Sequence, residues 1–93
     1  MTKRNKQILN SYLNRGSRDL KRFYKRENDD VTRAYRTAVH LALINGGDDF
    51  RVISCNSRTL TAGCITHHDG LDYMLYIRVL TDDSEITTRE FPI

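Results

Sequence analysis

Tryptophan is absent from this 93-residue chain, proline occurs once, at position 92, and cysteine twice, at 55 and 64. Two cysteines are too few for the disulfide framework of small secreted domains, so both are read as reduced thiols, with Cys64 a small core hydrophobe. No apolar run approaches the roughly 20 residues that a membrane-spanning helix needs. Met1 to Lys6 leads into a polar amphipathic segment without the apolar centre of a secretory signal, so a cytoplasmic protein with no membrane partner is expected. A serine elbow, a phosphate-binding glycine loop and a dinucleotide fingerprint are all missing. A zinc set drawn from Cys55, Cys64 and His67 or His68 matches none of the usual paired-ligand spacings. The sequence therefore assigns no catalytic residue, no metal ligand and no cofactor.

What is present begins with charge. Residues 1–27 carry nine lysines and arginines against two acids, a net of +7, while the other 66 residues hold six against ten, a net of −4. A basic arm on a mildly acidic body points to a polyanionic partner. Arg18, Lys21, Arg22, Lys25 and Arg26 follow one another at steps of 3, 1, 3 and 1, which on a helix makes one contiguous face, with Arg15 just ahead of it. Each can neutralise a phosphate, and a handful of such contacts gives salt-dependent, sequence-blind binding. Tyr24 lies among them and is the expected stacking residue for unpaired bases. The blander reading is a solvated charged face whose aromatics belong to the core.

The second organising feature is the stretch from Leu60 to Val79. Asp69-Gly70 predicts a two-residue type I′ turn, in which both central residues need positive φ. Folding there sets Leu60, Ala62, Cys64 and Thr66 opposite Val79, Ile77, Leu75 and Tyr73 on one face. The other face carries Thr61, Gly63, Ile65 and His67 opposite Arg78, Tyr76, Met74 and Asp72. A slip of one residue would exchange the faces, so the register is strongly specified. Ile65, Met74 and Tyr76, with Leu80 and Phe91 as candidate neighbours, form a second apolar patch that helices on one face would leave uncovered.

Around this hairpin the remaining elements take a helices-first order. Ile8, Leu9, Tyr12 and Leu13 predict a helix over residues 2–14, and Leu20, Phe23 and Tyr24 predict a second helical stripe after Gly16-Ser17. The Tyr12–Ser17 junction has a helix-turn-helix flavour, but Tyr12 and Ser17 stand where a small and an apolar residue are wanted. Val31, Ala34, Tyr35, Ala38, Leu41 and Ala42 predict the core helix, stopped at Gly46-Gly47. Across Asn28-Asp29-Asp30 the chain either breaks or continues as one long helix, because the apolar stripe keeps its phase. Strands are expected from Phe50 to Cys55, through the hairpin, and from Ile86 to Phe91. The expected fold is a single α+β domain over residues 1–93: a basic helical arm (1–27), a core helix (28–47) and an antiparallel sheet (50–91). Two or three N-terminal helices would pack on one face of a 3–4-stranded antiparallel sheet built around the 60–79 hairpin.

Three functions are compatible with these features. The first is a small non-enzymatic binding protein whose basic helical face (Arg15, Arg18, Lys21, Arg22, Tyr24, Lys25, Arg26) engages nucleic acid or a nucleoprotein complex. The second is a protein–protein inhibitor or adaptor of the anti-restriction or anti-CRISPR kind encoded by phages and other mobile elements, acting through Ile65, Met74 and Tyr76, a face that also suits a homodimer. The third is a toxin-like RNase with His67 or His68 as general base and Arg78 or Arg58 stabilising phosphorane-like charge.

Overall fold

A computed structural model of the chain describes residues 4, 6, 7, 10, 11, 18–25 and 28–93. Helix α1 spans Asp29–Ile44 and is followed by four strands: β1 (Asp48–Cys55), β2 (Thr59–His68), β3 (Leu71–Leu80) and β4 (Ile86–Pro92). The strands form one antiparallel sheet in the order β1-β2-β3-β4, a simple meander. No helix among the described residues is long and apolar enough to cross a membrane.

Cap chemistry sets the ends of α1. Asn28 has an extended φ of −154°, and its Oδ1 accepts the N–H groups of Asp30 at 2.9 Å and Val31 at 3.2 Å. Asp29 and Asp30 add negative charge to the positive end of the helix dipole. At the other end Gly46 takes φ +68°, its N–H donates to Leu43 O at 3.1 Å, and Gly47 N–H donates to Ala42 O at 2.8 Å. This pair of bonds is a Schellman motif, which closes the helix on a left-handed glycine.

Among the described residues α1 is the one helix described along its whole length, not two or three N-terminal ones, although Arg4, Lys6, Gln7, Asn10 and Ser11 are also helical. Most of the helix expected over 2–14 lies outside the described residues, as do the junction from Tyr12 to Ser17, Arg15 and Arg26. Within the described residues the second expected helix ends at Leu20. Residues 18–20 are helical, and the N–H groups of Phe23 and Tyr24 both donate to Leu20 O, at 3.0 and 2.7 Å, as the chain turns. Leu20 is drawn into the core at 5 % exposure, which anchors the turn, and the Asn28 cap starts α1 afresh. In-phase hydrophobic spacing from Tyr24 to Val31 is therefore outweighed by capping.

The buried stripe of α1 is Val31, Ala34, Tyr35, Ala38, Val39 and Ala42, with Leu41 only partly buried at its margin. It packs on the sheet face formed by Leu60, Ala62, Cys64, Leu75, Ile77 and Val79, with Val52 from β1. Each Val, Leu or Ile among them contributes roughly 1.5–3 kcal/mol on burial. The half-exposed pairs of Arg33 with Asp30 (3.1 Å) and Asp83 (3.0 Å) contribute about 0–1 kcal/mol each. Burial sets the packing; Arg33 only tethers the helix start to the β3–β4 turn, where its guanidinium also donates to Thr81 O at 3.0 Å.

The hairpin register is as expected throughout, from Leu60↔Val79 to His67↔Asp72, and Asp69 (φ 53°) and Gly70 (φ 78°) form the turn. β1 starts two residues earlier than expected, at Asp48, and carries two register shifts, between Asp48 and Arg51 and between Val52 and Ser54. Such bulges suit an edge strand, where they discourage further pairing.

Gly47 sits where α1 meets β2, and a Cβ there would overlap Cys64 Sγ and come within 3.0 Å of Ala42 O. Gly47→Ala is expected to lower stability by about 1–3 kcal/mol in urea denaturation. The double variant Gly47→Ala/Cys64→Ala should recover part of that loss, because the smaller residue at 64 makes room for the added methyl. Equal stability of the single and double variants would exclude this contact as the cause.

Candidate functional site

Because α1 lies on one side of the sheet, the other side is left uncovered among the described residues. Side chains on it are set by the ladder partners. One row across the sheet reads Arg51, Gly63, Tyr76 and Arg89, and the next reads Asp48, Ile65, Met74 and Phe91. Tyr76, Phe91 and Ile53 are 39, 48 and 43 % exposed, and Ile65 and Met74 are half-buried beneath them. The Tyr76 and Phe91 rings meet edge-to-face with centroids 5.9 Å apart and planes at 69°. Of the two extra residues expected in this patch, Phe91 belongs to it; Leu80 instead lines a separate hollow with Arg58, Thr81 and Asp82.

Gly63 lies at the floor of a hollow of about 420 Å³, walled by Ile53, Ile65, Met74 and Tyr76 with Asp49 and Arg51 alongside. A Cβ on Gly63 would stand 3.1 Å from Ile53 Cδ1 and 3.5 Å from Met74 Sδ, so the missing side chain helps to shape the hollow. Arg51, Arg78 and Arg89 are exposed, and none is ion-paired among the described residues. Sequence reading found Ile65, Met74 and Tyr76 but missed Arg51, Ile53 and Arg89. The bulges in β1 break the alternation that would have flagged the first two. Arg89 becomes meaningful only through the β3–β4 register.

The basic segment has a different shape from the one expected. Arg18, Lys21, Arg22 and Lys25 are exposed; Arg18 is helical, whereas Lys21, Arg22 and Lys25 follow the helix end at Leu20 and do not share a helical face with it. Tyr24 is half-buried and packs against the core, which limits it as a stacking residue. Arg22 and Phe23 line a second hollow, of about 480 Å³, together with Asp19, Asp49, Phe50 and Arg51. Asp19 also accepts the Tyr35 hydroxyl at 3.3 Å. Arg51 borders both hollows, so the basic turn and the outer sheet face adjoin across β1.

The histidines are tied to carboxylates. His67 faces Asp72 Oδ1 from Nδ1 at 2.7 Å and Asp48 Oδ2 from Nε2 at 3.0 Å. The hydrogen bond to Asp72, followed by that to Asp48, raises its pKa above the ordinary 6.5. The sequence supplied Asp72 as partner; Asp48 arrives only because β1 pairs with β2. On the opposite face His68 Nε2 contacts Glu90 Oε1 at 3.0 Å, and the Thr66 hydroxyl donates to Glu90 Oε2 at 2.8 Å. The bond from Thr66, then that from His68, lowers the pKa of Glu90.

The general base and arginine of the RNase reading are not brought together. His67 and His68 point to opposite faces, Arg78 pairs with Thr61, six residues along β2 from His67 and thus roughly 20 Å away, and Arg58, just ahead of Thr59 at the start of β2, is farther still. Burial, with Asp48 and Glu90 adding to it, pushes the Cys64 thiol up to about 11, which keeps it protonated under the helix. Among the described residues no three His, Cys, Asp or Glu side chains are gathered as a metal ion would require. No family model matches the sequence, and neither a curated protein nor a solved structure matches it.

A pKa raised by folding adds stability that is full below the unfolded value and lost as pH rises through the folded one. Denaturation midpoints should therefore fall between about pH 6 and pH 8, and fall less in His67→Ala. By NMR, His67 should titrate above 6.5 in the wild type and drop toward it in Asp48→Asn/Asp72→Asn. An unchanged midpoint in that double variant would remove the carboxylates as the cause.

Proposed function

We propose that the chain is a non-enzymatic nucleic-acid-binding protein. Its ligand lies on a basic track that runs from the 18–25 turn, past Arg51 at the edge of the sheet, onto the outer face. The observation that carries this reading is the shared hollow of Arg22 and Arg51, which makes two separate candidate surfaces one. The net charge of +7 over residues 1–27 against −4 over the rest supplies the long-range attraction. Arg18, Lys21, Arg22, Lys25 and Arg51 are exposed cations without acidic partners among the described residues, which leaves them available to phosphate. A nucleoprotein complex would offer the same phosphates. The exposed apolar group of Ile53, Tyr76 and Phe91 favours a second reading, an inhibitor or adaptor that docks on another protein through the sheet face.

Five phosphate contacts imply a log–log salt slope of about −3.5 to −4.5. Lys21→Glu/Arg22→Glu is expected to weaken nucleic-acid binding at least ~10-fold and to reduce the slope by about 2. Fluorescence anisotropy across about 50–200 mM salt measures both. Binding that ignores salt, or that survives the double charge reversal, would leave the sheet-face adaptor as the better account.

A further inference from the structure

The outer face holds more than charge. Its central row places an exposed tyrosine between two arginines, Arg51 on β1 and Arg89 on β4, with Arg78 two residues along β3 from Tyr76. Three strand spacings separate Arg51 from Arg89, roughly 14 Å. Beside Tyr76 lies the hollow over Gly63, whose volume of about 420 Å³ falls within the range of about 300–1,000 Å³ seen for small-molecule sites. Its walls are apolar and aromatic, and Gly63 beneath them is buried, with Ile53 Cδ1 and Met74 Sδ standing 3.1 and 3.5 Å from where a Cβ would be.

We infer that this hollow receives an unpaired nucleobase, stacked against Tyr76 above Gly63, while Arg51, Arg78 and Arg89 hold the flanking phosphates. The inference rests on the nucleic-acid reading above and narrows it to single strands. In a duplex the faces of the bases are already stacked and cannot enter a recess in a sheet, whereas an unpaired base offers a flat apolar face and leaves its phosphates outside. Phe91, edge-to-face with Tyr76, extends the aromatic surface toward β4. The three arginines lack carboxylate partners among the described residues, unlike Arg33, His67 and His68. Asp49 also borders the hollow and keeps phosphate to the arginine side.

Charge also argues against a second copy as the occupant. A two-fold dimer through this face would set the same three arginines against their own symmetry mates, with Asp49, Glu85 beside Thr87 and the carboxylates already holding His67 as the neighbouring acids. A polyanion with exposed ring faces satisfies both the arginines and the hollow.

The test uses the full chain and fluorescein-labelled oligo(dT), oligo(U) and a mixed-sequence duplex, each of about 12 nucleotides or base pairs, in anisotropy titrations at about 0.1 M salt. The wild type should bind one or both single strands at least ~10-fold more tightly than the duplex. Tyr76→Ala should lose about 10-fold on single strands and little on the duplex, Tyr76→Phe should stay within about 2-fold of wild type, and Arg89→Glu should weaken binding while folded. Thermal melts check each variant's fold. In the unaltered protein, upfield NMR shifts of the Tyr76 and Phe91 ring protons on adding oligonucleotide give a readout that needs no variant. If Tyr76→Ala binds single strands as well as the wild type, or the duplex binds equally well, base stacking is overturned and the phosphate reading survives. If the wild type binds none of the probes, the nucleic-acid reading itself fails. A wild-type dimer that Tyr76→Ala dissociates would instead make the face a self-interface and overturn the inference.

Discussion

The register of the β2–β3 hairpin is the constraint on which everything else depends. Two neighbouring residues set it, because Asp69 and Gly70 both adopt positive φ and so close the chain in the hand that matches strand twist. Burial then locks it. A slip by one residue would move Leu60, Ala62, Cys64, Leu75, Ile77 and Val79 out from under α1 and bring Thr61, Arg78, His67 and Asp72 in. Losing that many buried aliphatic contacts would cost far more than any rearranged surface ion pair could return.

With the register set, the two faces acquire separate jobs. The inner face meets small residues of α1, Ala34, Ala38 and Ala42, which let the helix approach closely, and Gly47 passes against Cys64 where the helix ends. The outer face is free of that packing demand. It carries aromatics, arginines and a glycine-floored hollow, none of which the inner core needs. His67 lies at one end of this face with carboxylates at both ring nitrogens, while Arg51, Arg78 and Arg89 lie further along it without such partners. Charge on the outer face is thus sorted along the strands.

Electrostatics and burial operate at different ranges here. The ion pairs of Arg33, His67 and His68 are partly or largely solvent-exposed and serve mainly to orient turns and strand ends. The surplus of positive charge in residues 1–27 does nothing for the core that burial does not do better. Its physical consequence is a strong charge asymmetry between that segment and the rest of the chain.

Sequence alone determined what depends on neighbours within about one helical turn or one hairpin. The Asp69-Gly70 turn, the pairing from Leu60 to Val79, the Gly46-Gly47 stop and the charge asymmetry were all legible, because each follows from local backbone chemistry or simple counting. The Asn28 break was legible as an option and was decided by its side chain capping α1. Only tertiary structure could decide the rest. The bulges of β1 set Arg51 and Ile53 on the outer face, the β3–β4 register brings Phe91 and Arg89 beside Tyr76, and β1–β2 pairing delivers Asp48 to His67. Leu20 is buried in the core where its helix ends, and Arg22 and Phe23 then come to lie beside β1. Each of these joins residues distant in sequence, through pairings set by the closing of the core as a whole, and a local periodicity carries no record of them.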